Sequence, residues 1–346
     1  MGRTIHILCN DGSPLGVTEK TLRGEDGRLG VGGAELALLT MCRAWKRYGN
    51  KVILYNNPKE RGASVFEQRD IDEFDPKENR DVVIIFRSPN EKYQPEDMKG
   101  QRVWWSCDSY TIGNYSDYAS RVDKIVAISP YHSKYFKDMY GINNTIPIDL
   151  PVRTWEYKDE VKKISKRCIF TSIPDRGLME LLPAWARIVK EVPESSLVIT
   201  SDWRLWVDWQ TDEAIRHFKL AYAMQPNVTY RGAVKRDELV KIQMEADVHL
   251  YSCHFEEMFC ISVAESQVAG VVPITSDAGA LSTTNMGTVL HGNVFDSKWQ
   301  DGFVEKSVET LMNPNLIKKQ EWLREAAKKR FSVENILQQW EAKVFS

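Results

Sequence analysis

Apolar and polar positions follow one another in blocks along this chain: a short β-branched or aromatic run, then a stretch with apolar residues at helical spacing. The block from Val228 to Gly287 shows it best. Val228-Thr229-Tyr230-Arg231 is an extended run ended by Gly232, and a helix follows from Lys235 with Leu239, Ile242 and Ala246 at helical spacing. Val248-His249-Leu250-Tyr251 is the next strand, and a polar loop leads from it to Glu256-Glu257. The pattern then predicts a helix from near Met258 to Gly270 and a strand over Val271-Val272-Pro273-Ile274-Thr275. Strands and helices in this alternation predict a parallel sheet with crossover helices, an α/β fold.

The amino-terminal half carries the same rhythm. Ile5 to Cys9 is a strand, a glycine-rich loop from Asp11 ends in Gly32-Gly33, and a helix runs from there to about Tyr48 with Leu38, Cys42 and Trp45 as its buried stripe. Lys51–Tyr55, Val82–Phe86, Arg102–Trp105 and Lys124–Ile128 are further strands, and Tyr131–Tyr140 is a helix. A polar, lysine-rich stretch over 152–167 has the composition of a linker. Cys168–Ser172 then opens a second β/α set, with Leu197–Thr200 as its next strand and a helix from Asp212 to Met224. The end of the chain is helical, over Val304–Met312, Ile317–Lys329 and Val333–Val344.

Length and charge narrow the picture. The 346 residues suggest about two domains, and a net charge of -2 gives no pull toward nucleic acid or an anionic membrane. No apolar run approaches the roughly 18 residues of a transmembrane helix. The six cysteines are scattered with no C-x-x-C pair, as expected of reduced thiols in a cytoplasmic protein. A peripheral position at a membrane is the alternative. Asp70-Ile71-Asp72 lies in a charged stretch with no adjacent apolar strand, so no metal site is expected there.

Several residues carry candidate chemistry. Glu257 and Glu265 have seven residues between them, on a loop and its following helix. Carboxylates accept from paired hydroxyls such as those of a sugar or ribose. The predicted helix start would direct the N–H groups of Met258, Phe259 and Cys260 at an anion. The glycines before the first long helix invite comparison with a dinucleotide fingerprint, but about twenty residues separate them from the strand, which argues against an oxidoreductase. Trp203, Trp206 and Trp209 are either a stacking platform for a sugar or base, or helix packing.

Glu257 through Glu265, the closing Ala269-Gly270-Val271-Val272-Pro273 and the Ser276-Asp277-Ala278-Gly279-Ala280 turn resemble the E-x7-E region of retaining GT-B glycosyltransferases of the large family 4. The resemblance implies two Rossmann-like domains facing across a cleft. It places the acceptor-side domain at 1–152, the nucleotide-sugar donor domain at 153–330, and a helix over 331–346 crossing back to the first domain. The implied reaction moves a sugar from a nucleoside diphosphate sugar, UDP- or GDP-linked, to a hydroxyl of a glycan or other acceptor. It retains anomeric configuration and needs neither cofactor nor metal.

Roles carry over residue by residue. Arg176, followed by Gly177, matches the family's Lys-Gly and would hold the diphosphate; Glu257 would hold the donor sugar and Glu265 the nucleotide ribose. Ser172, Gly232 and the 258–260 amides join the donor site, and Gly32 and Gly33 would let backbone approach the phosphates or acceptor. A plain turn with positive φ is the other reading of that glycine pair. Two departures stand out. Cys107-Asp108 replaces the family's His-Asp, leaving Asp108 to orient a hydroxyl, and Thr171 or Phe170 stands where a further basic residue is usual. These motivate an alternative, a nucleotide-sugar-binding protein with little or no turnover.

Overall fold

A computed structural model describes residues 2–9, 16–89, 98–158, 160–202 and 212–346. The chain divides into two compact units, Met1–Pro151 together with Val333–Ser346, and Val152–Ser332.

In the first unit the strands are β1 (Thr4–Cys9), β2 (Lys51–Tyr55), β3 (Glu67–Arg69), β4 (Val82–Phe86), β5 (Gln101–Trp105), β6 (Lys124–Ala127) and β7 (Thr145–Pro147). In the second they are β8 (Arg167–Phe170), β9 (Ser196–Ile199), β10 (Val228–Tyr230), β11 (Val248–Tyr251), β12 (Val272–Ser276) and β13 (Thr288–Leu290). The first sheet has the order β3-β2-β1-β4-β5-β6-β7 and the second β10-β9-β8-β11-β12-β13. Every pairing is parallel, so all carboxyl ends in a sheet share one edge. In both, the order reverses next to the first strand, between β1 and β4 and between β8 and β11. That is the doubly wound arrangement, and its crevice at the reversal is where ligands bind.

The central strands are apolar because helices cover both faces. All residues of β4, β11 and β12 are buried. Phe170, Trp185, Ile188, Tyr251 and Phe303 belong to the core of the second unit. In the first, Leu8, Ile53, Trp104 and Phe136 fill one side of the sheet. On Trp105 an aromatic cluster gathers that includes the end of the chain: Trp340, on the helix Val333–Lys343, meets Trp45 at 5.1 Å and Trp105 at 5.2 Å between ring centroids. Arg3 ion-pairs with Glu341 at 2.6 Å, and Gln101 Nε2 donates to the Val344 carbonyl, so Val333–Ser346 is structurally part of the first unit.

The stretch 152–167 is not the solvated linker its composition suggests. Val152 N–H donates to Phe331 O, Tyr157 is buried, and Lys163 Nζ donates to the carbonyls of Ala246 and Ala269. Lys163 thereby caps the carbonyls at the ends of two helices. Among the described residues no helix is long and apolar enough to cross a membrane.

Candidate active site

The loops that leave β8 and β11 meet at the reversal point of the second sheet. Gly177 begins the helix Leu178–Glu191 with φ +99°, and a Cβ there would overlap the Ser252 carbonyl. Ser252 Oγ in turn donates to Gly177 O at 2.8 Å. Only glycine allows this contact, and it sets Arg176 beside Glu257. Arg176 Nε lies 3.4 Å from Glu257 Oε1 and Nη1 lies 3.0 Å from Asp175 Oδ2. The Phe255 ring lies over the guanidinium, 3.4 Å from its carbon. Tyr251, the last residue of β11, donates to Glu257 Oε1 at 2.8 Å, with its hydroxyl 3.4 Å from Ser172 Oγ. Arg176, Ser172 and Glu257 therefore come together, joined by Tyr251.

The Glu257 backbone is held separately. It pairs with Gly279 as an isolated parallel bridge, and Ala280 N–H donates to Glu257 O at 2.7 Å. Gly279 has φ +60° and a Cβ on it would strike the Glu257 backbone. This pairing keeps Glu257 extended, and the helix begins only at Ile261 and runs to Val268. The expectation of a helix from Met258 is thereby corrected. Met258, Phe259 and Cys260 form the approach to it, and the amides lacking an intrahelical acceptor start at Ile261. Cys260 takes a left-handed conformation, φ +71°, at the N-cap, a strained choice for a residue with a Cβ. Burial pushes the Glu257 carboxyl above the usual range, while Arg176 and the Tyr251 hydroxyl restrain the rise.

Glu265 is in a different setting, on the helix and only 4% exposed. Arg236, the first residue of the helix Arg236–Glu245, places Nη1 2.7 Å from Glu265 Oε1. Its Nε reaches Glu156 at 2.8 Å and its Nη2 donates to the Tyr157 hydroxyl at 3.3 Å. Burial raises the Glu265 carboxyl and Arg236 pulls it back down. Gly232 has φ +70° after β10, with the buried Asp202 near its Cβ direction.

The first unit has its own carboxylate cluster at its reversal point. Gly32 and Gly33 open the helix Gly33–Arg47, and neither has positive φ. The turn reading of that pair is thus excluded. A Cβ at Gly32 would overlap the Glu35 carboxylate. Arg87, directly after β4 with φ +64°, bonds Glu35 Oε1 at 2.8 Å and forks onto Asp108 at 2.7 and 3.2 Å. His132 accepts from Ile128 N–H at Nδ1 and donates from Nε2 to Asp108 O at 3.0 Å. Burial holds that imidazole neutral down to about pH 3. Cys107 is buried. Trp203, Trp206 and Trp209 lie outside the described residues.

Glu257, Glu265 and Asp108 thus each sit on an arginine. Of these arginines the sequence points only to Arg176. Arg87 had a readable signal, a charged residue at the carboxyl end of a wholly apolar strand. Tyr251 ends such a strand too. Arg236 had none, because a basic residue at a helix start is ordinary.

A model of the family "Glycosyl transferases group 1" matches residues 171–330. No curated protein matches the chain. Among solved structures, a glycosyltransferase from Rickettsia africae is similar over all of both chains at 14% identity and a TM-score of 0.69. The Anabaena protein HepE, in complex with UDP and glucose, gives 14% identity, 99% of both chains and 0.71. Sucrose-phosphate synthase from Thermosynechococcus elongatus gives 13%, 99% of both and 0.70. At such identities the likeness concerns the fold. Residues 171–330 are thus similar to the glycosyl transferases group 1 family, in a chain with the fold of the GT-B glycosyltransferases.

Proposed function

We propose that this protein transfers a sugar from a nucleoside diphosphate sugar, UDP- or GDP-linked, to an acceptor hydroxyl with retention of anomeric configuration. The observation that carries the reading is the Arg176–Glu257–Tyr251 cluster at the reversal point of a sheet within the matched stretch. Arg176 stabilises the departing diphosphate, and its planar fork suits phosphate oxygens. Because this cation is already in place, the reaction proceeds without a metal. Glu257, ionised, accepts hydroxyls of the donor sugar and orients its anomeric carbon. Ser172 and Gly232 line the donor site, and Glu265 takes the ribose. The acceptor attacks on the face from which the diphosphate leaves, assisted by that phosphate, so no carboxylate nucleophile is needed. Asp108, held by Arg87, orients the acceptor in the first unit. The HepE structure with UDP and glucose supports a nucleotide-sugar donor.

A second reading keeps donor binding and drops turnover. It is favoured by Cys107, a buried thiol in the place of the family histidine, and by the engagement of His132 with backbone. One assay separates the two. Nucleoside diphosphate release is measured from UDP-, GDP- and ADP-sugars, and binding of the same donors is titrated in parallel. Release from one donor establishes transferase chemistry, binding without release under any acceptor favours the second reading, and no binding sinks both.

A further inference from the structure

We infer that Arg236 is the positioning residue for ribose recognition, holding the Glu265 carboxylate charged and aimed so that it accepts from the ribose hydroxyls of the donor. The inference rests on the reading of Glu265 given above.

A carboxylate as buried as Glu265 would protonate if left alone, and a neutral carboxyl is a much weaker acceptor. Arg236 supplies the compensating charge at 2.7 Å. Its guanidinium is fixed by the other members of its fork: Nε is held by Glu156, and Nη2 by Tyr157, whose hydroxyl donates to Gln243 Oε1 at 2.8 Å. The contact with Arg236 is made by Glu265 Oε1, a buried oxygen 2.7 Å from Nη1, and a carboxylate offers a second oxygen with lone pairs of its own. Acceptor capacity is therefore kept for another donor, and hydroxyls are the donors a nucleotide ribose offers. The first turn of the helix Arg236–Glu245 follows β10, so Arg236 approaches from the same carboxyl edge as the rest of the cluster. A lysine would bring the charge but not a planar fork that holds several partners at once.

The test is calorimetric titration with UDP, GDP and ADP against their 2′-deoxy and 3′-deoxy counterparts. Wild type, Arg236→Gln, Arg236→Lys and Glu265→Gln are compared, each first checked by thermal unfolding. The nucleotide that binds wild type should do so about 10- to 100-fold more tightly than a deoxy form, the span of a hydrogen bond to a charged group. In Arg236→Gln the ratio should collapse to about the level of Glu265→Gln, and Arg236→Lys should restore part of it. A folded Arg236→Gln that keeps the wild-type ratio overturns the inference while leaving Glu265 as ribose ligand. If Arg236→Gln does not fold, Arg236→Met takes its place, and a wild-type ratio in that folded, uncharged variant overturns it equally. A wild type that binds ribo and deoxy forms alike removes the ribose reading itself, and the inference with it.

Discussion

Glu257 and Glu265 carry the same carboxylate, stand on either side of one helix start and each face an arginine, yet their surroundings differ in kind. Glu257 is on a loop, 16% exposed, and its arginine is shared with Asp175 and topped by Phe255, which is itself 38% exposed. Glu265 is on a helix, sealed, and its arginine is anchored by Glu156 and a buried tyrosine. The Glu257 backbone is pinned by Gly279 while its carboxylate stays partly open, whereas Glu265 is closed into a buried ion-pair network. Under the function proposed above, the open carboxylate serves the reacting sugar and the sealed one the part of the donor that does not react. Losses at Glu257 should thus fall on turnover, and losses at Glu265 on affinity.

The largest expected effect breaks the open side. Glu257→Gln keeps the shape and removes the charge, and turnover should fall by about 100- to 1,000-fold, the range for removing one preorganised electrostatic group. Release of nucleoside diphosphate checks it, with KM followed separately. Unchanged turnover would take Glu257 out of the mechanism.

How far this contrast was legible in the sequence depends on the range of the interactions behind it. Val82–Phe86 declares itself as a strand because burial on both faces requires a continuous apolar run. The edge strands Glu67–Arg69, Thr145–Pro147 and Thr288–Leu290 do not, since each is short and defined by pairing with one neighbour. The late start of the helix at Ile261 is fixed by Gly279, a partner far along the chain, so local pattern could not give it. The same holds for the site: Glu257, Glu265 and Arg176 were visible as motif positions, whereas Arg236, Tyr251 and the buried Tyr157 matter through partners that only folding supplies.

The next effect separates backbone from side chain. Gly279→Ala places a Cβ against the Glu257 backbone at φ +60°, while Gly141→Ala, at φ +70° with open space around it, is a control for conformation alone. Gly141→Ala should cost about 1 kcal/mol of stability. Gly279→Ala should cost about 1–3 kcal/mol more and should lower turnover with it, because Glu257 must move. Thermal unfolding and donor hydrolysis measure both. Equal stability losses in the two variants would mean the Glu257–Gly279 pairing is loose.

Tyr251→Phe is milder and adds a pH signature. Losing the hydroxyl removes a hydrogen bond that favours the charged form of Glu257, worth roughly 0.5–1.5 kcal/mol, or about two- to twelvefold in kcat. Burial already raises the Glu257 carboxyl, so activity is lost as pH falls through that raised value. Without Tyr251 the value rises further, and the acid limb of the kcat profile should move to higher pH. The preference for ribo over deoxy nucleotides should not change, since Glu265 has different partners. A shift of the limb to lower pH would contradict the donor role of Tyr251.

The smallest effect has the opposite sign. Asp175 contacts Arg176 at 3.0 Å, and its side chain is 45% exposed. Its carboxylate occupies guanidinium donors that a diphosphate would use, so in the donor-free protein the two compete. Asp175→Asn should therefore tighten binding of the nucleoside diphosphate. Solvent screens the pair, which limits the gain to about 1 kcal/mol, up to some fivefold in affinity. The gain should shrink as salt is raised, because it is an exposed electrostatic term. Glu265→Gln, at a sealed pair, should show no such salt sensitivity in its loss. If Asp175→Asn instead weakens binding, Asp175 holds Arg176 in place rather than competing for it, and the open side of the site is as preorganised as the sealed one.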